Sequence, residues 1–197
     1  MSVSEQKQKQ IVEAAIAEFQ EKGYSGASMD GIAARARVSK RTVYNHFDSK
    51  DTLFRAINQR LADQINSAPE FAYDPEQPVR EALRSLGWFQ GDLLLKPEFI
   101  NLARLITSET IRHPDLANDL NKRIDKMGVY CSFMQAAADD GVLAVDDPKV
   151  AATQFLGLIK SRGYYPVLFS GVLNTREEMT GIIEDAVDMI LARYGAT

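Results

Sequence analysis

The chain has 197 residues, of which 45% are hydrophobic and 25% charged, a balance typical of a soluble globular protein with a substantial core. No apolar run approaches the roughly 18 residues that a membrane helix needs, and the polar start MSVSEQKQKQ lacks the apolar segment of a signal peptide. Cys131 is the only cysteine, which excludes an intrachain disulfide and leads us to expect an intracellular protein without a membrane partner.

The net charge of −4 is unevenly distributed along the chain. Residues 1–60 hold ten Lys/Arg and seven Asp/Glu, a net +3, whereas residues 61–197 hold thirteen and twenty, a net −7. A basic segment attached to an acidic one indicates that the first part meets a polyanion. Charge alone leaves chance variation open as the alternative.

Helical periodicity dominates the chain, and no stretch shows sustained alternation with period two. The helices predicted in the first part are Ser4–Lys22, Met29–Ala36, Lys40–Phe47 and Lys50–Asn66. Gly23 suits the end of the first helix, and Ser28 and Ser39 suit the N-caps of the second and third. Two short helices joined by about three residues predict a helix-turn-helix.

The segment SAPEFAYDPEQP, which contains three prolines, interrupts this pattern and indicates a boundary. The helices predicted beyond it are Val79–Leu95, Glu98–Arg112, Asp115–Asp139, Pro148–Ser170 and Arg176–Tyr194. Pro166 is expected to kink the fourth of these. The predicted fold class is all-α, with a helix-turn-helix domain at residues 1–50, a connecting helix at 51–66 and a larger helical-bundle domain at 67–197.

The third predicted helix separates an apolar side from a polar one. Val43 and Phe47, four residues apart, are expected to pack inward. The polar side then carries Lys40, Arg41, Tyr44 and Asn45, with Thr42 and His46 at its margins. Lys, Arg and Asn side chains bind base edges in the DNA major groove, and hydroxyl and ammonium groups bind phosphates. A solvated polar face is the alternative for such a helix taken alone.

The stretch SMDGIAARARVSKRTVYNHFDSKDTLF closely resembles the DNA-binding motif of the tetracycline-repressor (TetR) family of bacterial transcription regulators. The family pattern is a Ser or Thr cap, a short helix with Ile-Ala, a Val-Ser turn, a Lys-rich recognition helix ending in Tyr-x-His-Phe, and a Ser-Lys-acidic start to the next helix. Every part is present between Ser28 and Asp51. The resemblance covers roughly residues 1–60 and implies a cytoplasmic bacterial protein that binds double-stranded DNA.

Carried over residue by residue, the resemblance implies which side chains contact DNA. Base contacts are implied for Lys40, Arg41, Tyr44 and Asn45. Phosphate contacts are implied for Thr42, Tyr44, His46 and Lys50, with Ser28 and Ser39 at helix N-termini. Family members often have Gly where this chain has Arg37, so we expect Arg37 either to strain the turn or to add a phosphate contact.

The resemblance also implies a homodimer, because the last two helices of family members usually form a four-helix interface with a second copy. Here these are the predicted helices at 148–170 and 176–194, whose apolar stripes are wider than one packing face needs. The alternative is that both stripes cover the core of a single chain. Two-fold symmetry predicts a near-palindromic operator with half-sites about 34–36 Å apart.

Relatives bind small effectors between their middle helices, and LARLITSETIRHPDLA and FLGLIKSRGYYPVLFSG resemble the C-terminal domain of AefR-type members. We expect an apolar or amphipathic effector, because Met and aromatic side chains suit an adaptable pocket. The predicted lining residues are Trp88, Phe89, Leu93, Leu102, Ile106, Met127, Tyr130, Cys131, Met134, Phe155, Ile159 and Tyr165. Ordinary core packing is the alternative for each, and a thiol sensor is a further alternative for Cys131.

The sequence offers no recognisable catalytic or metal-binding constellation. Two histidines and one cysteine do not make a usual zinc site, and neither a phosphate-binding glycine loop nor a G-x-S-x-G motif occurs. We therefore expect no cofactor, no metal and no enzymatic activity, and we predict a repressor that a small effector releases from DNA. Two alternatives stay open: a DNA-binding adaptor controlled by a protein partner, and a helical enzyme or carrier.

Overall fold

The structure is a computed structural model that describes residues 2–66, 73–117 and 127–196. Within these residues the regular elements are helices, which confirms the all-α class, and extended backbone pairs in one isolated bridge between Leu143 and Gly195. In chain order the helices are α1 Val3–Gly26, α2 Met29–Arg35, α3 Lys40–His46, α4 Lys50–Asn66, α5 Val79–Leu94, α6 Pro97–Arg112, α7 Met127–Asp139, α8 Pro148–Gly163, α9 Tyr165–Ser170 and α10 Arg176–Tyr194.

Three predicted helices differ from the observed ones by more than one residue at an end. The first, predicted to stop at Gly23, continues to Gly26, although Gly23 interrupts it with φ at 68° and ψ at 166°. The helix predicted at Asp115–Asp139 starts as a 3-10 turn and ends as α7, and residues 118–126 of that prediction lie outside the described residues. The helix predicted at Pro148–Ser170 is broken at Tyr164, whose φ and ψ are −121° and −58°. Pro166 explains the break, because it offers no N–H to the carbonyl four residues earlier and its ring would collide with that carbonyl.

The described residues divide into two compact units, one from residues 2–64 and 102–117 and the other from 65–66, 73–101 and 127–196. Helices α1 to α4 and the last part of α6 build the first unit. Its core includes Ile11, Ala15, Phe19, Ile32, Ala33, Val43, Phe47, Leu53, Phe54 and Ile57. Tyr24 joins two of these rings in an aromatic cluster, with centroids 5.5 Å from Phe19 and 5.6 Å from Phe54.

A buried carboxylate fastens α2 to α1. Glu18 is 1% exposed and accepts hydrogen bonds from Lys22 Nζ at 2.7 Å and from Arg35 Nε at 3.3 Å. Arg35 also pairs with Glu21. A Cβ at Gly31 would collide with the Glu18 carboxylate, so α2 needs a glycine at this contact. The Lys22 hydrogen bond, with Arg35 as a further cation, holds the pKa of Glu18 below its usual value although burial opposes this.

The turn between α2 and α3 holds Arg37 in the left-handed conformation, with φ at 51°. This conformation costs roughly 1–2 kcal/mol for a residue that carries a Cβ. Backbone bonds close the turn, because the N–H groups of Arg37 and Val38 donate to the carbonyls of Ala34 and Ala33, each at 3.1 Å. A strained turn, one of the two roles expected for Arg37, therefore follows from the backbone angle.

In the second unit, α8 packs against α7 and α10, and α10 packs against α5 as well. Gly87 permits the close contact of α5 with α10, because a Cβ there would lie 2.7 Å from Ile183 Cγ2. An ion pair between Arg84 and Glu184 joins the same two helices near the surface. The inner helices of this unit thus have packing partners on more than one side.

The apolar stripes that suggested a wide dimer interface lie mostly in this core. The buried residues of those stripes are Ala151, Ala152, Phe155, Leu156, Ile159, Met179, Ile182, Ile183, Ala186, Val187 and Ile190. The stripes are wide because α8 and α10 each pack on two neighbours within one chain. The core of a single chain, the alternative considered for them, therefore accounts for these residues. A partner would have to contact other side chains of the same helices.

Glu18→Gln is expected to lower the stability of the first unit at neutral pH. It should also reduce the loss of stability that occurs as the pH falls. A carboxyl whose folded pKa is depressed adds stability that is complete above its unfolded value of 4.5 and is lost as the pH falls through the folded value. Thermal unfolding between about pH 7 and about pH 3 measures this loss. Glu13→Gln, which breaks an exposed pair with Arg60, is the control and should stay near wild type. Identical pH profiles for Glu18→Gln and wild type would contradict the assignment.

Arg37→Gly should be more stable than Arg37→Ala by about 1 kcal/mol, because both variants lose the charge and only glycine relieves the left-handed backbone. Urea unfolding followed by circular dichroism measures the difference. At Arg41, inside α3, the order should reverse, because glycine is about 1 kcal/mol worse than alanine in a helix. Equal unfolding midpoints for the two Arg37 variants would show that the turn carries no strain.

Candidate nucleic-acid interface

The two faces predicted for α3 are present in the structure. Val43 is fully buried, and Phe47, the residue that follows the helix, is buried as well. The polar side is exposed at Lys40, Arg41, Tyr44 and Asn45 and half-buried at Thr42 and His46. Because α3 packs on α2 and on the core of the first unit, its polar side chains are presented to solvent.

Ser28 and Ser39 cap α2 and α3 as predicted. The Ser28 Oγ accepts the Gly31 N–H at 3.0 Å, and the Ser39 Oγ accepts the Thr42 N–H at 3.0 Å. The Thr42 hydroxyl lies 2.7 Å from the Ser39 hydroxyl. These bonds satisfy N–H groups that the helix itself leaves free. Contacts of the three hydroxyls with phosphate stay a prediction.

The basic residues of the first unit differ in whether their side chains already have partners within the protein. Arg35 faces α1 and its acidic residues. Lys40 pairs with the exposed Asp30 at 2.8 Å, and the hydrogen bond from its ammonium to this carboxylate raises the pKa of Lys40. Arg37 and Arg41 are exposed, and within the described residues neither makes an ion pair or a side-chain hydrogen bond. Two guanidinium groups are thus left available beside and on α3.

Lys50 has a structural role that its place in the motif did not reveal. Its ammonium donates to the carbonyls of Tyr24 and Ala27, each at 2.9 Å, and lies 3.4 Å from the carbonyl oxygen of Ser25. It also lies 5.0 Å from the centroid of the Tyr24 ring. An ammonium group has three N–H donors, and here its carbonyl acceptors lie in the last turn of α1 and in Ala27, which follows the helix. Lys50 therefore ties the start of α4 to α1, and its predicted phosphate contact stays untested.

His113 belongs to the junction between α1 and the end of α6. Its Nε2 lies 3.3 Å from the Ser25 Oγ, and its ring centroid lies 5.5 Å from that of Tyr24. Close by, Asn58 Nδ2 donates to the Leu116 carbonyl at 2.9 Å. In residues 2–66, 73–117 and 127–196, no group of three or more His, Cys, Asp or Glu side chains could hold a metal ion. No helix of this part of the chain is long and apolar enough to span a bilayer.

Three of the predicted effector residues form an aromatic cluster in the second unit. The Tyr130 ring lies between those of Phe89 and Phe155, with centroid distances of 6.2 and 6.4 Å. Its hydroxyl makes a long, 3.5 Å hydrogen bond to the Leu86 carbonyl, and burial raises the pKa of this hydroxyl well above its ordinary value. The further predicted residues buried in this unit are Leu93, Met134 and Ile159.

The other predicted effector residues are more widely distributed. The Trp88 ring lies under the Arg176 guanidinium, 4.2 Å from centroid to carbon, and Tyr165 is half exposed on α9. These two therefore lie at the surface of the second unit. The remaining four are Met127 and Cys131, half-buried in the second unit, and Leu102 and Ile106, buried in the first.

Interpretation of the sequence missed two residues that support the interface, Glu18 and Gly31. Glu18 occupies the next position of the α1 stripe that begins with Ile11 and Ala15, and a glutamate on an apolar stripe indicates a buried, paired charge. A glycine inside a seven-residue helix indicates close packing, because it weakens the helix. Both signals were available, but their connection depends on the way α2 crosses α1.

Comparison with known families agrees with this geometry. The family profile described as "Bacterial regulatory proteins, tetR family" matches residues 11–57. The profile described as "AefR-like transcriptional repressor, C-terminal domain" matches residues 81–196, which is more than half of the chain.

Individual proteins are similar over all or part of the chain. A TetR family transcriptional regulator from Pseudomonas syringae pv. tomato str. DC3000 has a TM-score of 0.83 and 39% sequence identity over 98% of each chain. The Flavonoid-responsive Regulator FrrA has a TM-score of 0.77 and 27% identity, over 96% of this chain and 97% of FrrA. The HTH-type transcriptional activator FasR of Mycolicibacterium smegmatis is 41% identical over 76 residues, which are 39% of this chain and only 35% of FasR. The chain belongs to the TetR family of bacterial transcriptional regulators, with an AefR-like C-terminal domain.

Proposed function

We propose that the chain is a DNA-binding transcriptional regulator that reads its operator through α3. The observation that carries this proposal is the exposed side of α3, where Arg41, Tyr44 and Asn45 have no side-chain hydrogen bonds within the described residues. Buried Val43 anchors the opposite side of the helix. Polar side chains that the fold presents to solvent and leaves unused are available to base edges and phosphates. Such a regulator acts in the cytoplasm, where bacterial DNA lies.

The proposed contacts divide between bases and phosphates. Arg41 and Asn45 are four residues apart on α3 and project from one side, so they form the proposed base-reading pair. Lys40 reaches DNA by exchanging Asp30 for an acceptor on the nucleic acid, which costs little because exposed ion pairs are weak. Arg37, in the turn, is a proposed phosphate contact whose guanidinium pairs with none of the residues that the structure describes.

We also propose that two copies bind one near-palindromic operator through α8 and α10, with residues 1–50 as the DNA-binding domain and 67–197 as the effector and dimer domain. Exposed Val150, Gln154, Gly157 and Ser161 follow a 4-3-4 spacing along α8, which is the spacing of helices that pack side by side. Apart from the neighbouring backbone of α8 itself, no described atom lies within 4 Å of where a Cβ at Gly157 would be. Glycine weakens a helix, and on this exposed side of α8 no contact among the described residues requires one, which supports close approach by a second copy.

The proposed regulatory signal is an apolar or amphipathic molecule that binds in the second unit. Buried Tyr130 supports this, because among the described residues its hydroxyl has a single, 3.5 Å bond to Leu86 and a ligand acceptor would satisfy it better. FrrA, a relative of similar structure, responds to flavonoids according to its name. We propose repression because the domain that covers most of this chain is described as that of a repressor. The effector releases the operator only if it binds the DNA-free state better.

Asn45→Ala should weaken operator binding by about 1–3 kcal/mol and relax the base preference at one position, because it removes a contact to a base edge. Arg37→Gly should weaken operator and scrambled DNA alike and reduce the salt slope by about 1, because a phosphate contact carries no sequence information. Fluorescence anisotropy across a salt series measures both effects. The probes are DNA from upstream of the protein's own gene and a scrambled duplex.

Wild-type protein should prefer the first duplex and lose affinity steeply as salt rises. Failure to bind either duplex at low salt would refute DNA binding. Equal losses on both duplexes for Asn45→Ala would remove that residue from base reading. Ser132→Ala, on the exposed surface of α7, is the control variant and should bind like the wild type.

Lys50→Met should destabilise the first unit by about 2 kcal/mol, because it removes a charged donor from backbone carbonyls and keeps the apolar stem. Lys40→Met should change stability by less than about 0.5 kcal/mol, because its partner Asp30 is exposed, and should weaken DNA binding. Calorimetric unfolding and the anisotropy assay separate the two lysines. A thermal midpoint unchanged by Lys50→Met would show that its contacts with α1 do not stabilise the fold.

A further inference from the structure

The exposed apolar side chains of the second unit are concentrated in the segment from α8 to α10. Among the described residues of this unit, the large apolar side chains that are exposed are Val150, Tyr165, Phe169, Val172 and Met189. None of them lies on α5 or α7. Apolar side chains grouped in this way on a folded protein mark an interaction surface.

Helix α9 directs an aromatic ring outward. The break at Tyr164 starts a short helix that is buried at Val167 and Leu168, whereas Phe169 is 78% exposed. Gly171, with φ at 76°, ends the helix, and Val172 follows with 72% exposure. The buried side of α9 thus anchors the helix, and its other side presents two apolar side chains to the surroundings.

An apolar groove lies between α8 and α10. It has a volume of about 500 Å³ and is lined by apolar Gly157, Leu158, Met189 and Ile190, together with Gln154, Ser161 and Arg193. The space above Gly157 is open, because no described atom outside the adjoining α8 backbone lies within 4 Å of a Cβ built there. The same chain therefore carries a protruding pair of apolar side chains and an apolar groove that could receive them.

Three contacts show that α8 and α10 run antiparallel. The Tyr194 hydroxyl donates to Gln154 Oε1 at 2.7 Å, Arg162 pairs with Asp185, and Asn174 Nδ2 donates to the carbonyl at the end of α8. Residue numbers thus rise along α8 as they fall along α10. The groove lies between the last turn of α10 and the second half of α8, whereas α9 begins beyond the C-terminal end of α8.

We propose that Phe169 and Val172 of each chain pack into the α8–α10 groove of a second copy. A two-fold axis perpendicular to the helix pair exchanges its two ends, so it brings α9 of one copy to the groove of the other. The contact is then formed twice, so that α9 and the groove of both copies are occupied, as in a closed two-fold dimer. This inference rests on the proposed homodimer and names the residues that close its interface.

The exposed stripe of α8 explains why a second copy needs α9. Gln154, Gly157 and Ser161 are small or polar, so helix contact through this stripe alone buries few large apolar groups. A stable interface buries about 800 Å² on each partner and has an apolar centre with aromatic residues. Phe169 supplies an aromatic ring that the stripe lacks, and the groove that receives it shares Gln154, Gly157 and Ser161 with the stripe.

Phe169→Glu should raise the dimer dissociation constant at least tenfold, because it removes the aromatic ring and sets a carboxylate against Leu158, Met189 and Ile190. Sedimentation equilibrium of the full chain measures the constant. Ile111→Glu is the matched control, because Ile111 is 74% exposed and lies in the first unit, so its dissociation constant should equal that of the wild type. Circular dichroism should show folded protein for both variants.

Crosslinking identifies the groove as the site of contact. Chains with Phe169→Cys are mixed with chains that carry Met189→Cys, both in a Cys131→Ser background that removes the only native thiol. Mild oxidation should link one chain of each kind into a species of twice the chain mass on a non-reducing gel. Replacing Phe169→Cys by Ile111→Cys should abolish this product.

The outcomes separate this inference from the proposed dimer. Gly157→Leu fills the proposed dimer face and should dissociate the dimer even if α9 plays no part. Dissociation by Gly157→Leu with no effect of Phe169→Glu would overturn the α9 contact and leave the dimer face intact. Linkage of Phe169→Cys to itself, without linkage to Met189→Cys, would overturn the groove assignment. A wild-type protein that is monomeric at all concentrations would refute the dimer and this inference together.

Discussion

The orientation of the recognition helix depends on a carboxylate that is removed from water. Glu18 lies between α1 and α2, where burial disfavours its charge and where Lys22 and Arg35 stabilise it. Few relative positions of α1 and α2 give this buried carboxylate its cationic partners. The close approach of the two helices also leaves no room for a side chain at Gly31. Because α3 packs on α2, the side that carries Arg41 takes its direction from this contact.

Contacts inside the first unit also change how the net charge of residues 1–60 is interpreted. This net charge of +3 suggested a polyanion-binding surface, but several of those cations are used within the unit. Arg35 binds acidic residues of α1, and Lys50 binds backbone carbonyls. Arg37 and Arg41 remain exposed beside and on α3. The position of a small number of unused charges, rather than their sum, therefore defines the proposed DNA surface.

In the second unit, close packing inside the chain determines what is left for partners. Most apolar residues of α8 and α10 are buried in contacts with α5, with α7 and between the two helices. The exposed remainder is a stripe with Gly157, a groove beside it, and the outward side of α9 with Phe169. An interface built from these parts combines close helix approach with one aromatic contact. It differs from the broad apolar interface that the stripes alone suggested.

The sequence by itself determined the features that arise within a few residues of chain. The helical class, the caps at Ser28 and Ser39, the inward side of α3 at Val43 and the interruption near Pro166 all follow from local hydrogen bonding, spacing and ring geometry. Only the tertiary structure decided which charges stay free and which apolar groups stay exposed. Lys50, for example, finds carbonyls that are 23 to 26 residues away along the chain. Such partners are set by how helices cross, and helix crossing depends on packing between segments that are distant in sequence.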